Sequence, residues 1–219
     1  MTEKQFNKYD VFRPFLVGKA EFVGKYDFPV LKATSSIATK AIPFDKANRE
    51  KDKNQWIHFY TDDYRFERIW RSPQKYLSIL KQFNGVIGPD FSVYTNMPLS
   101  MQIWNTYRNR ALSFWLQDKG INLIPNVVWG KENSYEFCFD GIPKNSTIAI
   151  STNGCIGNKR DKYYFKKGFG KMIETVKPKT VVVYSNMPKD IFKEIYTKDI
   201  AFVNIPNYHY TKNEVLCNG

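Results

Sequence analysis

Two histidines and three cysteines are all that 219 residues offer of the commonest metal ligands and thiol nucleophiles. Cys138, Cys155 and Cys217 are odd in number and widely spaced, which fits neither a disulfide framework nor a zinc site and predicts a reducing, cytoplasmic setting. No HxH, HExxH, CxxC or Asp-rich loop occurs, so no metal site is expected. GxGxxG and GxxxxGKS/T are missing too, and no cofactor is expected. KKGFGK (166–171) resembles a phosphate loop only superficially, because it lies within an amphipathic helical pattern rather than between a strand and a helix. No run approaches the roughly 20 apolar residues of a membrane span, and MTEKQFNKYD has no apolar core of signal-peptide length. The expectation is a soluble chain, neither exported nor inserted. There is no internal repeat and no low-complexity segment.

Acidic residues are also in deficit: 21 Asp and Glu against 33 Lys and Arg give a net charge of +12. Such a field concentrates phosphate polymers and acidic proteins before any specific contact forms, without reading sequence.

An alternation of short apolar runs and helical patterns is what the chain does have. Residues 1–55 read as a lead-in packed on the core, closing in the charged run FDKANREKDKNQ. The α/β domain is expected over 56–206, with a tail over 207–219. WIHFY (56–60), GVIGPD (85–90), INLIPNVVWG (121–130), TIAIST (147–152), TVVVYS (180–185) and IAFVNIP (200–206) are strand candidates. Helical patterns fall at 62–83, broken at Pro73, then from Pro98 to Lys119 with a stop at Gly120, then at 160–176 and 188–196. Continuously apolar strands alternating with helices imply a mostly parallel, helix-covered sheet of about six strands, either an open or incomplete (βα) barrel or a doubly wound sheet.

In both architectures the loops after the carboxyl ends of the strands converge on one edge. The strand candidates deliver Asp90, Asn126, Trp129, Ser151, Asn153 and Cys155 there. On the long helix, taking Met101, Trp104, Ala111, Leu112 and Trp115 as the buried face puts Asn105 and Arg108 on it as well. A buried arginine needs a partner, so Arg108 is expected to pair with Asp90 or to reach an anionic ligand. Asp90 and Cys155 are the catalytic candidates, with Cys155 short of a base: His58 lies within a strand and His209 in the tail. Trp129 is the candidate for stacking on a base, and Asn105, Asn126, Ser151 and Asn153 for hydrogen bonding. Lys159, Arg160, Lys162, Lys166, Lys167 and Lys171, with Tyr163 and Tyr164 interleaved, form a candidate nucleic-acid face, although a lysine-rich helix face is commonly just solvated.

The stretches FYTDDYRFERIW, GVIGPDFSVYTNMPLSMQIWNTYRNRALSFWLQDKGINLIPNVVWG and YEFCFDGIPKNSTIAISTNGC resemble the uncharacterised family catalogued as domain of unknown function 4417, met in bacteriophages, plasmids and Gram-positive bacteria. The resemblance runs from about residue 43 to about 205. It implies a mobile-element context and, for a phage protein, the host cytoplasm, and it carries over no catalytic residues. Three functions are consistent with these observations: a protein acting on or with nucleic acid or nucleotides, an enzyme modifying a nucleotide or nucleobase through Asp90, and an inhibitor that binds a host protein. The sequence gives no oligomeric state.

Overall fold

A computed structural model describes residues 11–193 and 199–208. Among the described residues seven parallel strands follow one another in sequence order. β3 (Ala41–Pro43), β4 (Trp56–His58), β5 (Gly85–Ile87) and β6 (Leu123–Ile124) form one sheet, and β7 (Thr147–Ser151), β8 (Thr180–Tyr184) and β9 (Ala201–Ile205) a second. A single parallel bridge, Asn126 to Ala149, stitches β6 to β7, with Val127 N–H donating to Ala149 O at 2.9 Å and Ala149 N–H to Pro125 O at 2.8 Å. A two-strand hairpin, β1 (Phe22–Val23) and β2 (Phe28–Pro29), precedes them.

A doubly wound sheet reverses its strand order at a switch point, and this array never does. Ala41, Trp56, Ile87, Ile124, Ala149, Val182 and Ile205, one from each parallel strand, meet in a single buried cluster, as the inward-facing residues of a barrel do. Among the described residues β9 and β3 do not pair, so the barrel is open. The alternation begins at Ala41, within the segment read as a lead-in. Three residues ending in proline are too short a run to show a strand period.

Helices cover the outside. α1 (Asp63–Arg71) gives way at Ser72–Pro73 to a 3₁₀ turn that runs into α2 (Leu77–Leu80), because proline can open a helical turn but not continue one. α3 (Leu99–Asp118) ends before Gly120, whose φ of +77° is the left-handed conformation that closes helices. α4 (Lys159–Val176) is capped by Asn158, which accepts from the Asp161 N–H at 2.9 Å. α5 (Lys189–Phe192) follows β8, and residues 194–196 of the expected 188–196 helix lie outside the described residues, as do His209 and Cys217. One outer core packs α1–α3 on β3–β6; another packs α4 and α5 on β7–β9. Among the described residues no helix is long and apolar enough to cross a membrane.

Candidate functional site

The strand carboxyl ends surround a cavity of about 330 Å³ at the barrel mouth, lined by Tyr60, Asp62, Arg65, Asp90, Tyr94, Trp129, Ser151, Asn153, Cys155 and Tyr184 among others. Of the sequence candidates, it brings together Asp90, Trp129, Ser151, Asn153 and Cys155.

Asp90 belongs to a loop whose backbone is gripped from every side. Asn109 donates to Phe91 O at 3.0 Å and accepts from Phe91 N–H at 2.8 Å. Asn105 donates to Ser92 O at 2.6 Å, and the Asp63 carboxylate accepts from both the N–H and the hydroxyl of Ser92 at 3.1 and 2.7 Å. Beneath the loop, Asn126 Nδ2 donates to Asp90 Oδ1 at 2.7 Å and to Pro89 O at 3.1 Å, while its Oδ1 accepts from the Tyr60 hydroxyl at 2.9 Å. These contacts fix which way the amide points. They also leave Asp90 Oδ2 without a hydrogen bond among the described residues.

Burial raises the Asp90 carboxyl to about 7, against the hydrogen bond from Asn126, which lowers it; the Asp63 charge adds to the rise. Asp90 is therefore a carboxyl that exchanges its proton near neutrality, as a general acid or base requires. Tyr60 is raised far beyond its ordinary value by burial, with Asp90 contributing, and stays a neutral donor. Its ring stacks on Tyr184 at 5.0 Å, and His58 lies against Tyr184 at 4.3 Å.

Cys155 lines the mouth half-buried. Burial, then Asp90 and Asp161, push its thiol up to about 12, so it is a protonated thiol rather than a nucleophilic thiolate. The TNGC turn is structural as well as lining: Gly154 takes a φ of +73°, Ser151 Oγ accepts from Asn153 N–H, and Thr152 Oγ1 donates to Asn186 O at 2.6 Å.

Arg108 is the main correction. It pairs with Glu67 at 2.8 Å, donates to Asn105 Oδ1 at 2.6 Å and covers the Phe91 ring at 3.7 Å, on the outer side of the sheet. It meets neither Asp90 nor the cavity. The buried guanidinium of α3 is instead Arg110, 1% exposed and donating to three backbone carbonyls: Asp140 at 2.9 Å, Asn126 at 3.3 Å and Cys138 at 2.6 Å. Met101, expected inside, is exposed. Asn105 and Asn126 act behind the cavity wall by holding the Asp90 loop.

Trp129 lines the cavity, but its ring is packed. A Cβ on Gly168 would fall 2.1 Å from its Cδ1 and Nε1, and Phe165 lies 5.2 Å away. The residues that sequence reasoning left off the site are Tyr60, Tyr184, Tyr94, Asn109 and Arg110. The first two follow or end strands at the expected rim but are not among the sequence candidates; Asn109, four residues beyond Asn105 on the same helix face, was the available signal.

A second cavity of about 340 Å³ adjoins the first. The two share Val93, Tyr94, Trp129, Gly154 and Cys155, and Thr95, Asn96, Asn158, Arg160 and Tyr164 help line the second. Along α4, Lys162 pairs with Asp190, Lys167 with Glu132 and Lys171 with Glu174, and Lys166 is half-buried. Lys159 and Arg160 are exposed and make no ion pair among the described residues. No group of three or more His, Cys, Asp or Glu among the described residues is arranged to hold a metal ion.

The Gene 1 protein of Mycobacterium phage L5 is 36% identical over 187 residues, spanning 84% of this chain and 80% of its own. The Gene 1 protein of Mycobacterium phage D29 is 35% identical over 131 residues, 60% of this chain and 48% of its own, so the match spans about half of that relative. No solved structure matches. The family described as Domain of unknown function (DUF4417) matches residues 20–206, which takes in every strand of the barrel and the whole mouth except Asn207, and to that phage-associated family this chain belongs.

Proposed function

We propose that this phage-type protein binds a nucleobase-bearing ligand in the barrel mouth and that Asp90 handles the proton at its edge. The observation that carries this reading is the Asp90 carboxyl at the cavity wall, held through Oδ1 by Asn126 with Oδ2 left open, and raised by burial to about 7. A carboxyl poised in this way can donate to or accept from the mixed edge of a base. Tyr60, Tyr184 and Tyr94 supply flat apolar surface around it. The same poise supports a catalytic form of the reading, in which Asp90 acts as general acid or base in modifying the base.

The test is calorimetric titration of the full chain with the common nucleosides, in ribo and deoxy forms, for the wild type and Asp90→Asn. Binding of a subset of nucleosides, weakened at least tenfold by Asp90→Asn, is expected. Equal affinity in the variant would remove Asp90 from the site. For the catalytic form, products are sought by mass spectrometry, and turnover that survives in Asp90→Asn makes the residue structural.

A further inference from the structure

The mouth is well made for a base and poorly made for a terminal phosphate. Arg65 is its one cation among the described lining residues, and it is held by Asp45 at 3.2 Å and Asp62 at 3.5 Å. Asp62 and Asp90 line the same space, so a phosphate dianion placed there would face two carboxyls and an engaged guanidinium.

The adjoining cavity has the opposite character. Its one cation among the described lining residues, Arg160, is uncommitted, and its one acid, Asp161, is tied down by Asn158 Nδ2 at 2.6 Å. Tyr164 offers a ring, Thr95 and Asn96 offer polar edges, and exposed Lys159 lies next in the chain. Each cavity is near the lower end of the size range for a small-ligand pocket, about 300–1,000 Å³. The strip they share has an exposed aromatic, Tyr94, at 59% exposure. A single guanidinium matches the single charge of a phosphodiester, and rings alternating with cations along a groove are how single strands are held without sequence readout.

We infer that the two cavities form one cleft for two consecutive nucleotides of a single-stranded nucleic acid, one base entering the mouth and the next lying beside Arg160 and Tyr164 with the joining phosphodiester near Arg160. This rests on the reading of the mouth given above and names its ligand as a strand rather than a free nucleotide.

The experiment titrates the full chain with a nucleoside, its 5′-monophosphate and dinucleotides that carry that nucleoside, in deoxy and ribo forms. It is repeated with Arg160→Ala, an exposed position where folding is not at risk. The dinucleotide is expected to bind at least tenfold more tightly than the nucleoside, the monophosphate no more tightly than the nucleoside, and Arg160→Ala to bring the dinucleotide down to the nucleoside's affinity. A dinucleotide no tighter than the nucleoside, a monophosphate as tight as the dinucleotide, or an Arg160→Ala variant that keeps the full increment would each overturn the inference while leaving the mouth reading in place. Absence of binding by all three ligands would overturn both.

Discussion

Asn126 Nδ2 lies 2.7 Å from Asp90 Oδ1, and through that bond the oxygen of Asp90 that faces the cavity is chosen. Because Oδ1 already accepts an N–H, the proton of the neutral acid goes to Oδ2. The amide cannot turn around without setting its own oxygen against Pro89 O, which can only accept.

Removing this amide therefore has a signed consequence. The Asn126 bond lowers the Asp90 pKa, so Asn126→Ala is expected to raise it above about 7 and to destabilise the fold by about 1–3 kcal/mol, since the Pro89 carbonyl and the Tyr60 hydroxyl lose their partner. Carboxyl carbon chemical shifts followed against pH read the first effect, and urea unfolding reads the second. An unchanged or lowered Asp90 pKa would contradict the assigned hydrogen bond.

The same carboxyl makes stability depend on pH. Its folded value of about 7 lies above the ordinary 3.8, so between these values the native state binds more protons than the unfolded chain and stability falls as pH rises. The loss is absent below the unfolded value and complete above the folded one, on the order of 4 kcal/mol for a shift of roughly three units. Asp90→Asn is expected to flatten this slope between about pH 4 and 7 and to be more stable than the wild type at pH 8, as measured by urea midpoints across pH.

The two arginines of α3 part company on substitution. Arg108→Ala removes an ion pair, a ring contact and a hydrogen bond to Asn105 on the outer face, at a cost of roughly 1–2 kcal/mol, and is expected to leave ligand affinity in the mouth unchanged, because Asn105 Nδ2 keeps its own bond to Ser92 O. Arg110→Met strands three buried carbonyls, one of them that of Asn126, and is expected to cost about 3 kcal/mol or more. Lysine at 110 should not restore the loss, because one ammonium on a thin stem cannot reproduce the planar fork. A mild Arg110→Met together with a lost ligand in Arg108→Ala would reverse the assignment.

The confusion of these two arginines shows where the sequence stops being legible. β7 and β8 are five-residue strands with unbroken apolar stretches, IAI and VVVY, and α4 has one clear apolar face, so their existence and approximate bounds follow from the apolar pattern. α3 has no such phase. Its buried residues include Gln102, Asn105, Thr106, Asn109, Arg110 and Ser113 beside Leu112 and Leu116, because part of it packs on a polar loop rather than on a sheet. Hydrophobic periodicity cannot orient a helix whose partner surface is backbone carbonyls and amides. Asp90 was legible because Gly88-Pro89 breaks the chain immediately after a strand, whereas the groups that tune it, besides burial, are Asn126 and Asp63, 36 and 27 residues away in the chain.

Gly168 offers a test that reaches both cavities from outside them. It lies on α4, away from the barrel mouth, yet a Cβ there would fall 2.1 Å from Trp129 Cδ1 and Nε1, closer than any real contact. Trp129 also packs against Phe165 and Phe139 and lines both cavities, so displacing its ring alters the strip where the cavities join. Alanine is the better helix former by about 1 kcal/mol, and overpacking costs typically 1–3 kcal/mol, so steric strain should outweigh propensity. Gly168→Ala is thus expected to lower the melting temperature by several degrees and to weaken a ligand that spans both cavities more than one confined to the mouth. Gly170→Ala, where an added Cβ meets nothing within 4 Å, is the control and should be neutral or stabilising. If both variants behave alike, Trp129 does not form the packed wall between the cavities.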